Sequence, residues 1–359
     1  MIINNNELKQ MIDVAMLDKN SLETVINVNE KEVVFLLGND LIYRIQKTQK
    51  IDIPVGEYAI GSGNLVKIIK SLPNEMSNIN IENQQLIISD SSGDINTILT
   101  TGVKINIPKI ERTIAEIDVK ELIEALKETD SFRSKDTNAP MLMGVCLRYD
   151  HCSNELSVAA MDGYRVYVRN IGIKCNEKED FELIIDDKTV KRLKKIKAKL
   201  KLCIKKGILR TGEKYFLTTN NMIFLTPFID GEYFNYENVF HNAKENYKTS
   251  YNNKEIKTFI KYFEKCNKLS EKRPLIESSI ENYNHKLSCQ AGLANIENNS
   301  KSKVENRFTI GYNGKYMLEV LKLFNYSDKV DVQMEDEIHP IIFTDNIKTI
   351  LLLPIQIKK

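Results

Sequence analysis

Apolar residues recur at helical spacing in six places along the chain. Leu8, Met11, Ile12 and Ala15 share one face of a 3.6-residue helix, as do Val119, Leu122, Ile123 and Leu126, and then Ile256, Phe259, Ile260 and Phe263. Asp118 with Glu121, and Asn252 with Glu255, predict capping-box starts, in which a side-chain oxygen and a carboxylate three residues on satisfy the free N–H groups of the first turn. A second set of helices is expected at Leu65, Ile68, Ile69 and Leu72; at Val190, Leu193 and Ile196; and at Met317, Val320, Leu321 and Phe324. Each follows a turn signal, namely Gly61-Ser62-Gly63-Asn64, Asp186-Asp187 or Asn313-Gly314. Counted from Leu65, Val190 and Met317, these second helices lie 125 and 127 residues apart, which reads as a triplication.

The intervening stretches alternate apolar and polar over short runs, such as Glu155 to Ala160 and Arg165 to Val168, separated by turn pairs such as Asp162-Gly163. Each repeat is therefore two helices plus antiparallel strands, an α+β unit. The expected domains are 1–112, 113–243 and 244–359, the first ending beyond Pro108 and the second in the polar stretch Phe240 to Glu245.

The run Leu351-Leu352-Leu353-Pro354-Ile355-Gln356-Ile357 is almost wholly apolar, and its proline excludes a helix. Two readings stay open. It closes a core as a last strand, or it bends away from a sheet and presents Ile355 and Ile357 as part of a docking groove.

A length of 359 residues with 42% apolar and 28% charged residues fits two or three folded domains. No stretch has the length of a membrane helix, and Met1 to Asn6 has no signal-peptide pattern, so a cytoplasmic protein is expected. The six cysteines contain no C-x-x-C pair and the four histidines are scattered, so no metal and no cofactor are expected. Between Lys188 and Lys206 stand ten basic residues and no acidic one, including Lys188, Lys191, Arg192, Lys194 and Lys195. With Lys67, Lys70, Lys254, Lys257, Lys261 and Lys315 on the other helices, these lysines repeat on the faces opposite the apolar stripes. Singly they fit a solvated face; repeated, they fit an anionic polymer such as duplex DNA.

Several segments, taken in order, resemble the bacterial DNA polymerase III β sliding clamp family. They are Leu72-Pro73, Met141-Leu142-Met143-Gly144-Val145, Val158 through Val166, Ile229-Asp230-Gly231-Glu232-Tyr233-Phe234, Ile310-Gly311-Tyr312-Asn313 and Leu353-Pro354-Ile355. The resemblance implies the DNA-clamp fold, with three repeated clamp domains, and a ring-forming homodimer around duplex DNA, bound without sequence preference through the lysines above. It implies no catalysis. The replicative polymerase, the clamp loader and repair proteins would dock through short linear peptides. Carried over by position, the peptide groove would comprise Leu142, Met161, Gly163, Tyr164, Arg165, Val166, Phe234, Asn238, Val239, Ile338, Pro340, Leu351, Leu352, Leu353, Pro354 and Ile355. Gly163 and Tyr164 also fit a plain type I′ hairpin, and Val166 a core strand.

Met161, Phe234 and Asn238 depart from the residues usual at those family positions, as does Ala139 ahead of the Met141 segment. Ring edges are expected near Ile95 to Thr100 and around Leu269. Two other classes remain: a clamp-like peptide-binding regulator that does not load on DNA, and a nucleic-acid-processing enzyme. The sequence holds no G-x-x-x-x-G-K-[ST] or H-E-x-x-H motif to favour the latter.

Overall fold

A computed structural model describes residues 1–17, 22–47, 51–197, 199–209, 212–242, 246–270, 274–281, 283–291, 294–301 and 308–357. Two expectations reach outside that set: part of the second boundary, at 243–245, and the terminal Lys358 and Lys359. Among the described residues the helices are α1 (Asn5–Ala15), α2 (Ser62–Ser71), α3 (Val119–Thr129), α4 (Pro140–Met143), α5 (Asp187–Leu193), α6 (Glu237–Asn242), α7 (Asn253–Leu269) and α8 (Gly314–Leu323).

The six helices expected from spacing are present. Asn4 caps α1, and the stripe Leu8, Met11, Ile12, Val14 and Ala15 is buried. At about 1.5 to 3 kcal/mol for each large side chain fully removed from water, this stripe holds α1 down far better than its intrinsic propensity could. The capping box at Asn252 and Glu255 forms in full on α7, and Asp118 Oδ1 accepts from the Glu121 backbone N at 3.0 Å. One expectation needs correction. α5 ends at Leu193, and Ile196 lies beyond it in tightened turns where Lys195 N reaches Arg192 O and Ile196 N reaches Leu193 O.

The chain divides into two compact units, one of residues 1–124, 149–155 and 171–230, the other of 125–148, 156–170 and 231–359. Hydrogen-bonded ladders account for the division. In unit one, strand Leu41–Gln46 pairs antiparallel with Met222–Phe224, which continues through Gly212–Thr218 and Leu202–Leu209 to Lys109–Ile117. On its other side Leu41–Gln46 pairs with Glu32–Leu37, followed by Thr24–Val28 and Gly56–Ile60. In unit two, Arg165 to Arg169 pair with Lys348–Leu352, followed by Ile341–Thr344, Lys329–Met334 and Tyr247–Asn252. The strands of the middle repeat are thus shared out between two continuous ladders, and compactness follows the ladders.

Each unit has a second, four-stranded antiparallel sheet. In unit one it runs Ile2–Asn4, Met76–Glu82, Gln85–Asp90, Gly93–Ile98. In unit two it runs Ala294–Lys301, Asn284–Ala291, Leu275–Glu281, Phe308–Asn313. Gly93–Ile98 and Ala294–Lys301 are edges, with Ile98 at 75% exposure. Leu269 belongs to no edge; it closes α7. The core of unit two gathers Ile256, Phe259, Phe263, Met317, Leu321 and Phe324 from α7, α8 and the residue after α8, against Val330, Phe343, Ile350 and Leu352 from the sheet.

Candidate functional site

The expected groove residues all fall in unit two, and a buried arginine organises them. The hairpin between strands Glu155–Met161 and Arg165–Cys175 turns at Asp162 to Arg165. Asp162 Oδ1 accepts from the backbone N of Tyr164 at 3.0 Å and of Arg165 at 3.2 Å. Gly163 takes φ +86°, whereas Tyr164 has no positive φ. The turn is therefore not type I′, which needs positive φ at both central positions.

Arg165 is only 4% exposed. Its Nε donates to Asp162 Oδ2 at 3.0 Å, and its Nη2 donates to the Ser131 carbonyl. Its Nη1 stands 2.6 Å from Glu319 Oε2, an ionic contact off the hydrogen-bonding direction. The guanidinium lies over the rings of Tyr316 and Phe132, at 4.2 and 4.6 Å from their centroids. A planar cation held by two carboxylates and stacked on two rings is a rigid post. Outside it stands Tyr164, 57% exposed, its ring 5.9 Å from that of Tyr316.

The C-terminal run divides after Leu352. Leu351 and Leu352 pair within the sheet and are buried at 3% and 0%, so, unlike the expected groove residues they were counted with, they present no exposed surface; Val166, opposite Leu351, is likewise buried. Beyond Leu352 the chain leaves the strand. Leu353 N donates to Tyr164 O and Ile355 N to Gly311 O, each at 2.9 Å, and Leu353 and Ile355 are both 38% exposed. Two backbone hydrogen bonds thus hold two apolar side chains partly out in water. Ile357 is half-buried.

Of the neighbouring segments, Pro340 directly precedes the strand residue Ile341, which pairs with Leu352, and Ile338 is exposed at 56%. Met161 is 8% exposed and its backbone N donates to the Tyr233 hydroxyl at 3.1 Å, which leaves the next residue, Phe234, 48% exposed. Gly231, at φ +142°, comes so near Met141 that a Cβ would stand 2.4 Å from its Cε. Leu142 is half-buried, and its carbonyl accepts from Ser134 N at 2.9 Å. Asn238 is exposed and Val239 half-buried on α6, where Glu237 pairs with Arg148 at 3.2 Å.

Behind the hairpin lies a charged network that the sequence did not announce. Tyr167 donates to Glu128, with Arg169 and Lys348 at 3.5 and 3.6 Å from the same carboxylate. Burial, then Glu128 itself, raises the Tyr167 phenol well above its ordinary range. Tyr316 was also missed; its signal was an aromatic three residues after the Asn313 that caps α8.

The lysines divide. In unit one Lys67, Lys70, Lys188, Lys191 and Lys195 are exposed and Lys194 is half-buried. Lys188 pairs with Asp40 at 2.5 Å and Lys191 with Asp187 at 2.6 Å. Arg192, from the same basic run, is no part of a solvated face: it is 1% exposed and donates to Asp40 Oδ1 at 2.9 Å and to Ala15 O at 3.2 Å. In unit two Lys254, Lys257, Lys261 and Lys315 are exposed and carry no ion pair among the described residues.

Residues 116–235 match the model of the DNA polymerase III beta subunit, central domain. No curated protein matches the chain by sequence. Among solved structures, the DNA polymerase sliding clamp of Pseudomonas aeruginosa with a ligand is similar at TM-score 0.81 and 17% identity, over 99% of each chain. The sliding clamp of Bacillus subtilis is similar at 0.80 and 18%, again over 99% of each. The Helicobacter pylori beta clamp bound to a DNA ligase peptide is similar at 0.76 and 18%, over 99% of each. Residues 116–235 thus match the central domain of that subunit, and along its whole length the chain has the fold of the solved bacterial sliding clamps.

Proposed function

We propose that the protein is a DNA sliding clamp, a non-catalytic cytoplasmic homodimer that encircles duplex DNA. Through the groove of unit two it would tether the replicative polymerase, the clamp loader and repair proteins, and so confer processivity. Three clamp domains near 1–112, 113–243 and 244–359 belong to the same reading. So does closure of a ring through edges such as Gly93–Ile98 and Ala294–Lys301, since unpaired edge strands invite pairing.

The observation that carries the groove is the exposed apolar ledge of Tyr164, Leu353 and Ile355, fixed by hydrogen bonds and by the buried Arg165. Preorganised apolar wall with a few polar anchors suits a short peptide, because little ordering entropy remains to be lost on binding. Lysine contacts to phosphate carry no base information, so they suit a duplex that moves along its axis.

The test is titration of a polymerase-tail peptide, bearing a glutamine, a leucine and a terminal aromatic or leucine, against the wild type and Leu353→Ala/Ile355→Ala. Each residue is already part-buried, so the pair should cost roughly 1 to 3 kcal/mol of affinity, about 5- to 150-fold, with melting unchanged. Equal affinity for the two proteins would remove the groove from this place.

A further inference from the structure

Away from the groove, the turn after strand Val145–Asp150 in unit one gathers three different donor types. Asp150 Oδ1 accepts from Cys152 N at 2.8 Å, and Asn154 closes the turn at φ +54°. The fold of this turn brings Cys152 Sγ to 3.4 Å from His151 Nε2. The donor atoms of Asp150, His151 and Cys152 all lie within 4.8 Å of one another, and all three residues are exposed.

The histidine is not loose. Asp180 Oδ1 accepts from its backbone N at 2.9 Å and stands 2.6 Å from its Nδ1. With Nδ1–H given to Asp180, the lone pair of the neutral ring sits on Nε2, the atom that faces the thiol. A carboxylate behind the far nitrogen is the usual companion of a metal-binding histidine, fixing its tautomer and raising its basicity.

We propose that Asp150, His151 and Cys152 bind a zinc-class divalent ion, with Asp180 as the carboxylate that orients the histidine. Thiolate, imidazole and carboxylate together match zinc among the common divalent ions. Nitrogen and sulfur at about 2.0 and 2.3 Å from a shared tetrahedral zinc stand roughly 3.5 Å apart. The separation of 3.4 Å between Nε2 and Sγ is close to that spacing. Asp150, which already holds Cys152 N through Oδ1, would supply the third ligand with a small shift of its carboxylate, and water would complete the shell. The sequence offered little warning because the donors are three consecutive residues rather than a C-x-x-C pair.

The experiment uses the full-length, reduced, metal-free chain. Zn²⁺ is titrated against a chromophoric chelator, and Co²⁺ is added separately to read the thiolate-to-cobalt charge-transfer band. One equivalent of Zn²⁺ should bind, and the cobalt band should appear. Cys152→Ser should abolish the band, and both Cys152→Ser and His151→Asn should weaken Zn²⁺ binding about a hundredfold or more. Asp180→Asn should weaken it by about 10- to 100-fold. Thermal melting of the metal-free variants should match the wild type, since the turn is exposed. Failure to saturate at one equivalent would overturn the proposal, and so would a band or Zn²⁺ affinity that survives Cys152→Ser.

Discussion

Unit one and unit two each bury one arginine against carboxylates, and the surroundings of the two differ in a way that separates architecture from recognition. Arg192 is enclosed: Asp40 and the Ala15 carbonyl hold it, and the Asp40 carboxylate also takes Lys188. The result ties α5 to α1, with Met16, next to Ala15, 37% exposed. Arg165 is equally buried, but its outer neighbours are Tyr164, whose ring stands beyond Tyr316, and Leu353, whose backbone bonds to Tyr164. There the buried cation supports side chains that remain exposed. A rigid base under an exposed apolar rim is what a peptide site requires, and beside the Ala15 partner of Arg192 stands one exposed apolar side chain, Met16, rather than a rim of three.

Arg165→Ala should give the largest effect. It strands Asp162 and Glu319 without their cation, and breaking a buried pair in this way costs about 3 to 5 kcal/mol. Unit two should melt earlier and peptide binding should fall with it, as calorimetry and titration would record. A stable Arg165→Ala protein with full peptide affinity would erase the distinction between the two regions.

Acid should act next, again on unit two. His285 is buried among Phe259, Ser278 and Tyr312 beside a cavity of about 40 Å³, and burial pushes its pKa down to about 4. The unfolded chain takes up a proton near pH 6.5 and the folded one only near 4, so stability is complete above about 6.5 and is lost as pH falls toward 4. The loss amounts to about 2 to 4 kcal/mol. His285→Gln should flatten the melting temperature across that window; an undiminished acid slope would assign it to other groups.

Arg192→Ala should cost less than Arg165→Ala, about 2 to 3 kcal/mol, because Asp40 keeps Lys188 as a partner. Peptide affinity should be untouched. Chemical denaturation of the two variants side by side measures the difference, and an equal or larger loss at Arg192 would contradict the ranking.

How much of this could be read from the sequence depended on whether the cause was local. Helix spacing and the Asn252 box are local and were legible. The end of α5 before Ile196 was not, since an apolar residue at the right spacing is buried equally well by a tightened turn. Arg192 looked like one more cation in a basic run, because its partner Asp40 lies 152 positions away. The split of Leu351 to Ile355 was half legible: proline forecast the bend, but only the register with Ile341 and Val166 shows where burial stops. That strands from distant segments join in continuous ladders also follows from pairing which no periodicity encodes.

The smallest effect concerns the lysines. Lys188 and Lys191 already have carboxylate partners, whereas Lys254, Lys257 and Lys261 have none among the described residues. Neutralising the α7 trio should lower the salt slope of duplex binding by up to about 0.9 for each phosphate that loses its lysine, and neutralising Lys188 and Lys191 should lower it less. The reverse order would place the duplex against α5 instead.

The most direct test of the sliding-clamp account is topological. The protein is loaded by its matched clamp loader onto nicked circular duplex and followed through gel filtration at a salt concentration that removes simple electrostatic binding. The account predicts that it travels with the circle and is lost when a single cut makes the DNA linear. Failure to remain on the circle, or retention that survives linearisation, would contradict it.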